Sequence, residues 1–153
     1  MIESKYKRLA IFDLDGTLIN VDSVRHYVEG KYKNFDSFHN ESLNCPPFEN
    51  VINLINVMHS LSDVYIAIVT GREEKYRDVS EQWLSINNVS YSVLLMRKNY
   101  DYRKNVIIKR EIYESIEDSL SPFVAIDDTL DLRYMWKDIG FSLVYDPQNF
   151  SHT

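Results

Sequence analysis

The chain has 153 residues, 44% hydrophobic and 26% charged, with four Gly, four Pro and no biased tract; this is the composition expected of one globular domain and it excludes a disordered or fibrous architecture. A net charge of −6 argues against a broad polyanion-binding surface, although not against a local basic site. One cysteine, Cys45, rules out an internal disulfide, no apolar run approaches the ~20 residues of a membrane span, and Leu9 to Phe12 is too short for a signal-peptide core, so a cytoplasmic protein with no membrane association is expected.

Leu9-Ala10-Ile11-Phe12 reads as a short buried strand that stops at an acidic, Gly-containing turn. The segment 20–47 is rich in Asn, Ser and aromatics and has no clean period; it is too long for a simple connection, which marks it as an insertion or small cap. Cys45, followed by Pro46 and Pro47, reads there as a small loop residue. Val51, Leu54, Ile55 and Met58 recur at helical spacing and predict a helix over roughly 48–61. Val64 to Val69 is the clearest strand, apolar almost throughout as a buried parallel strand should be. A helix with Tyr76, Val79, Trp83 and Ile86 on one face follows, then a strand over Tyr91 to Met96. Ile108, Ile112 and Ile116 predict a helix around 105–117, and Phe123 to Ile126 a strand stopped by Asp127-Asp128. Leu132, Met135, Trp136 and Ile139 give a last helix with Gly140 just past its end, and Phe141 to Tyr145 closes the pattern as a fifth strand. Strands alternating with helices imply an α/β fold whose parallel sheet is covered on both faces, in a single domain over 1–153.

In such sheets ligands bind at the carboxyl ends of the strands, and that is where the polar residues collect. The first strand ends in Asp13-Leu14-Asp15, the second in Thr70-Gly71-Arg72 and the fourth in Asp127-Asp128, while Lys109 lies near the start of a helix. Each has a plainer reading. Asp13 and Asp15 suit a turn before Gly16, and Thr70 with Glu73 fits a capping box opening the next helix. Asp128 could cap the helix beginning near Thr129, and Lys109 could be a solvated helix lysine. Those readings leave the shared location at strand ends unexplained. Arg97, Lys98, Arg103, Lys104, Lys109 and Arg110 also lie within fourteen residues, as a solvated face or a local basic site.

Acidic residues gathered around a hard divalent cation suit Mg²⁺, which prefers oxygen ligands and offsets phosphate charge so that a carboxylate can attack phosphorus. Asp13 would be that nucleophile, Asp15 would protonate the leaving oxygen and later activate water, and Lys109 would offset negative charge in the transition state.

The set closely resembles the haloacid dehalogenase (HAD) superfamily of phosphohydrolases, whose four motifs occur in order as Asp13-x-Asp15-Gly16-Thr17, Thr70, Lys109 and Asp127-Asp128, across roughly residues 8–146. The resemblance implies a single Rossmann-like domain with a five-stranded, mainly parallel sheet and a minimal cap. It implies Asp13 as nucleophile, Asp15 as acid and base, Thr70 on the phosphate, and Mg²⁺ held by Asp13, the Asp15 backbone carbonyl and Asp127, with Asp128 as an accessory acid. A narrower likeness runs through Leu94 to Arg97, Asp101-x-Arg103-Lys104, Val106 to Tyr113, Ala125 to Asp128 and Met135 to Gly140. It is similar to the phosphatase domain of phage-type polynucleotide kinase–phosphatases, as is Thr70-Gly71-Arg72-Glu73. That similarity implies removal of 3′-phosphates from nucleic-acid ends or nucleotides, with Thr70, Gly71, Arg72 and Arg103 at the substrate phosphate.

This chain departs from that pattern in having Asn105 where the family has Asp, which can still cap a helix but carries no charge. No P-loop Gly-x-x-x-x-Gly-Lys occurs, and no kinase portion is expected. Segment 20–47 shows no convincing motif of that pattern; Arg25, Tyr27, Lys31, Tyr32 and Lys33 suit either a substrate entrance or a plain surface loop. The expected function is a Mg²⁺-dependent phosphomonoester hydrolase acting on 3′-phosphates, with a phosphatase of mononucleotides or other small metabolites as the alternative and no obligate protein partner. A signalling receiver would carry its adjacent acids first and its phosphorylated Asp mid-chain, the reverse of the order here. A catalytically inactive phosphate-binding protein is the non-enzyme alternative, although every catalytic position is filled.

Overall fold

The computed structural model describes residues 2–148, so Met1 and 149–153 of the expected 1–153 span lie outside the described residues. The sheet centres on β1 (Arg8–Phe12), whose partners on either side are β2 (Val64–Glu73) and β4 (Ser121–Ile126). β3 (Val93–Arg97) and β5 (Leu143–Tyr145) complete the order β3-β2-β1-β4-β5, and every pairing is parallel. The crossovers contain α2 (Glu49–His59), α3 (Arg77–Ile86), α4 (Asn105–Glu114) and α5 (Leu130–Ile139). This is the Rossmann-like α/β arrangement that the sequence resemblance implies.

Strand alternation divides the core. Ala10 and Phe12 of β1 and Ile66 and Ile68 of β2 pack against α2 and α3 through residues such as Ile55 and Trp83. Leu9, Ile11, Ala67 and Val69 face the other way, onto Leu132, Met135 and Trp136 of α5. The connections leave β1 toward β2 on one side and return to β4 on the other, so the carboxyl ends of β1 and β4 form the crevice where the strand order reverses.

Several expected boundaries shift for identifiable reasons. β3 begins at Val93 rather than Tyr91, because the Ser92 hydroxyl takes the Ile66 N–H (2.9 Å) and bends the chain before the ladder starts. α4 stops at Glu114 rather than 117, where Ser115 N–H closes onto the Glu111 and Ile112 carbonyls. The α5 terminus falls as expected: Gly140 has φ +120° and its N–H reaches the Trp136 and Lys137 carbonyls.

Segment 20–47 is more ordered than its sequence suggests. It holds a 3-10 turn at Arg25–Val28, the helix α1 (Phe35–Glu41) capped by the Asn34 side chain on Ser37 N–H, and a second 3-10 turn at Ser42–Asn44. Val21, Val24, Phe38 and Cys45 are buried in the core beneath it. Cys45 is therefore a packed residue, and its carbonyl accepts the Trp83 indole N–H at 2.8 Å. Among the described residues no helix is long and apolar enough to cross a membrane.

Candidate active site

β1 delivers Asp13 directly to the crevice, since its N–H continues the ladder to the Ile126 carbonyl. The chain then turns tightly, with the Leu18 and Ile19 N–H groups both returning to the Leu14 carbonyl. Gly16 makes this possible: its φ is +81°, and a Cβ there would lie 2.1 Å from an Asp128 carboxylate oxygen. Thr17 Oγ1 donates to Asp13 Oδ2 at 3.2 Å and fixes the carboxylate's orientation.

Lys109 rises from α4 into the same spot and is only 3% exposed. Its ammonium donates to Asp13 Oδ1 at 2.8 Å and to Asp127 Oδ2 at 3.0 Å, so it is not a solvated helix lysine. Asp127 also accepts the Trp136 indole N–H and, through Oδ1, the Thr129 N–H. Asp127 thus takes a backbone N–H just before α5, and neither Asp128 nor the N-cap residue Thr129 makes a side-chain cap. Burial pushes the Asp13 carboxyl up to about 7, against the pull of Lys109 and with a further push from Asp128. Burial and the Asp13 charge raise Asp127 to about 6, and burial raises Asp128.

Ligand oxygens of Asp13, Asp127 and Asp128 lie within 4.8 Å of one another. When ionised, these carboxylates exceed the charge of Lys109 by two, and all their donors are hard oxygens. A divalent cation such as Mg²⁺ fits both the charge and the donor chemistry.

Asp15 sits apart from that cluster. Its carboxylate is gripped by the Arg72 guanidinium through Nε (2.9 Å) and Nη2 (2.6 Å). Burial pushes Asp15 up, but Arg72 more than offsets this and holds the carboxyl below its usual range. Arg72 is buried, lines the cavity, and also donates to the Ser42 and Ser80 hydroxyls while it clamps Asp15. The Thr-x-x-Glu capping box does not form either. β2 runs on to Glu73 through an irregularity between Thr70 and Glu73, and α3 begins only at Arg77. Thr70 Oγ1 accepts the Arg72 N–H instead, which leaves its own proton to donate into the cavity.

Gly71 lies beneath Asn105, whose Oδ1 would be 2.3 Å from a Cβ at that position. Asn105 follows the N-cap residue Lys104 and does not itself cap α4; its side chain accepts from Arg97 instead. Arg97 also donates to the Gly71, Asp101 and Arg103 carbonyls and so ties the 97–105 loop to β2. Arg103 is at the rim, half-exposed and paired with Asp101 and Glu111.

These residues open onto a cavity of about 530 Å³ that reaches Asp13, Asp15, Thr70, Gly71, Arg103, Lys109 and Asp128. The cap supplies one wall, including His39, which no sequence signal singled out. His39 is buried against Phe38 and Tyr76, its Nδ1 has no partner, and burial together with Arg72 lowers it to about 4. Ser42, whose hydroxyl links the His39 carbonyl to Arg72, was equally silent in the sequence.

A family model for the polynucleotide kinase PNKP phosphatase domain matches residues 7–146. The chain belongs to that family. This PNKP-type phosphatase matches no curated protein. Among solved structures it is similar to a chain in a Pnkp1/Rnl/Hen1 complex, with 24% identity and a TM-score of 0.76 over 94% of this phosphatase and 48% of that chain. It therefore spans about half the length of the relative it matches. A haloacid dehalogenase-like hydrolase of Streptococcus pneumoniae shares the fold over 97% of this phosphatase and 98% of that chain, at 12% identity and a TM-score of 0.62. A class C acid phosphatase of Bacillus anthracis does so over 73% and 49%, at 18% identity and a TM-score of 0.56.

Proposed function

We propose that this phosphatase is Mg²⁺-dependent and hydrolyses 3′-phosphates of nucleic-acid ends or nucleotides through an aspartyl-phosphate on Asp13. The observation that carries the mechanism is the buried Asp13 carboxylate at the floor of the cavity, beside Lys109 and fixed by Thr17. The substrate class rests on the PNKP phosphatase family match.

Asp13 Oδ attacks phosphorus, forming the acyl phosphate as the bond to the leaving oxygen breaks. Thr70 donates its hydroxyl to a phosphoryl oxygen, and Lys109 balances the added charge. Asp15 protonates the leaving oxygen and then takes the proton of the water that attacks the acyl phosphate, so phosphate is released and Asp13 regenerated. In its Arg72 bridge Asp15 is the ionised base of that second step. Acting as the acid requires Asp15 to gain a proton, and hence the bridge to loosen once substrate is seated. Mg²⁺ would be held by Asp13, Asp127, Asp128 and the Asp15 carbonyl, and when bound it offsets phosphate charge.

A carboxyl whose folded pKa is raised favours the folded state while protonated, and that contribution fades as pH rises through the folded value. Asp13 and Asp127 therefore lower stability with rising pH up to about 7 and about 6, respectively. His39 works in the opposite sense, but only between about 4 and its ordinary value of 6.5. Between about pH 6.5 and 8, chelator-treated protein should thus lose on the order of 1 kcal/mol, chiefly through Asp13. Adding Mg²⁺ should raise Tm more at pH 8 than at pH 6, which thermal melts at the two pH values would check. An equal Mg²⁺ shift at both would place the cation elsewhere.

The function is tested with a panel of 3′-phosphorylated RNA and DNA oligonucleotides, 3′- and 5′-mononucleotides and sugar phosphates, with Mg²⁺ and with chelator. RNA is included because a chain of this fold occurs in an RNA repair complex. Preference for 3′-phosphates and loss of turnover with chelator are expected; preference for sugar phosphates would reject the substrate class.

A further inference from the structure

While its Nε and Nη2 grip Asp15, the buried Arg72 guanidinium has two further acceptors. Nη1 donates to the Ser80 hydroxyl of α3 at 3.0 Å, and Nη2 to the Ser42 hydroxyl of the cap at 2.9 Å. We propose that Ser42 and Ser80 are positioning residues for phosphoryl transfer. They lock the Arg72 guanidinium and through it hold the Asp15 carboxylate at the cavity, so the cap takes part in placing the acid and base. This inference rests on the roles given to Asp13 and Asp15 above and deepens them.

Both serines are fully buried, and each uses its own proton on a backbone carbonyl. Ser42 Oγ donates to the His39 carbonyl at 2.6 Å, and Ser80 Oγ to the Tyr76 carbonyl at 2.7 Å. With the hydroxyl hydrogens committed, both oxygens turn lone pairs to the guanidinium. One serine thus sits on each terminal nitrogen. The guanidinium cannot turn about its Cδ–Nε bond, or slide along Asp15, without leaving buried donors unpaired. Its planar, two-pronged grip passes that constraint to the carboxylate, where a lysine would act only as a point charge.

The same bonds close a ring between cap and core. Ser42 opens the 3-10 turn that follows α1, and the carbonyl it bonds belongs to His39 of α1 itself. Ser80 lies on α3, one turn after Tyr76, whose hydroxyl returns to Asp36 of α1. The Tyr76 ring also packs on His39, with centroids 4.2 Å apart. A displacement of α1 would therefore reach Arg72 through both serines together. A buried arginine needs acceptors of some kind, and any buried carbonyl could serve. Because a cap residue supplies one of them here, satisfying the cation also ties the position of Asp15 to the cap.

The test compares two single-turnover rates at constant Mg²⁺: release of the alcohol from an alkyl phosphomonoester, and of 4-nitrophenol from 4-nitrophenyl phosphate. The alkyl ester is a nucleoside 3′-monophosphate, or whichever ester of the panel above the wild type turns over fastest. An alkoxide leaves poorly without the proton that Asp15 supplies, whereas nitrophenolate needs none. Ser42→Ala and Ser80→Ala should each slow the alkyl ester about tenfold more than the aryl ester. Ser80→Thr should keep the wild-type ratio, because a helical Thr hydroxyl can make the same bond to the carbonyl of Tyr76, four residues back. Damage to the fold or to phosphate binding would slow both esters alike, so an unchanged ratio in the alanine variants would overturn the inference. Should Ser42→Ala not fold, the Ser80 pair decides alone. Asp15→Asn, measured beside them, should lower the ratio further. A ratio lowered by Asp15→Asn but by neither serine would overturn the positioning role and leave the proposed mechanism intact. A ratio that Asp15→Asn leaves unchanged would instead remove Asp15 as the acid, and the role of the serines with it.

Discussion

Asp13→Asn should lower kcat/KM by about four orders of magnitude or more while leaving the fold intact. The loss is large because the nucleophile itself is removed, leaving only the binding and electrostatic contributions of Thr70, Lys109 and the surrounding acids. The fold should survive because Asn is nearly isosteric with Asp and its Oδ1 can still accept the Lys109 ammonium that lies 2.8 Å from the native carboxylate. The change also removes a carboxyl that burial raises to about 7, so the metal-free variant should be more stable than the wild type at pH 8. Single-turnover hydrolysis and thermal melts of the same preparation separate the two effects. Activity near the wild-type level would remove Asp13 from the nucleophile's role.

Lys109→Met should damage both activity and stability. The methionine fills most of the volume but leaves Asp13 and Asp127, 7% and 1% exposed, without the cation they share. Breaking a buried pair from one side typically costs about 3–5 kcal/mol, because a charge is left uncompensated in a poorly solvating interior. Protonation of the two carboxyls, already raised by burial, reduces that cost at low pH, so the deficit should widen as pH rises. Mg²⁺ should restore part of the stability, since it supplies charge to the same oxygens. Turnover should stay depressed by about a hundredfold or more even with Mg²⁺, because Lys109 also meets the charge that develops on the phosphoryl group. Chemical denaturation with and without Mg²⁺, beside steady-state kinetics, would check this. Unchanged stability in chelator at pH 8 would mean that the two carboxylates are not held ionised by Lys109.

The parts of this site that could be read from the sequence are those where one residue's role depends on its own strand. Leu9 to Phe12 and Val64 to Val69 are apolar throughout because both their faces are buried, and the acids that follow stand out as breaks in the pattern. Gly16 and Gly140 were legible because a positive φ has few other solutions. What stayed hidden depends on partners far away along the chain. Arg72 looks like a free cation until Asp15, 57 residues earlier, is found in its grip. Thr70 and Glu73 have the spacing of a capping box, but pairing of Glu73 with Arg97 keeps them in the sheet. α1 has seven residues, too few for a periodic signal, and is held by burial of Phe38 and His39 rather than by propensity. The cap wall with His39 and Ser42 could not be seen for that reason.

Passage of the phosphoryl group through Asp13 is tested most directly by the stereochemical course at phosphorus. Hydrolysis of an isotopically chiral thiophosphate ester in labelled water should proceed with net retention, because attack by Asp13 and then by water are two successive inversions. Net inversion would mean that water attacks the substrate directly and that Asp13 is not the nucleophile.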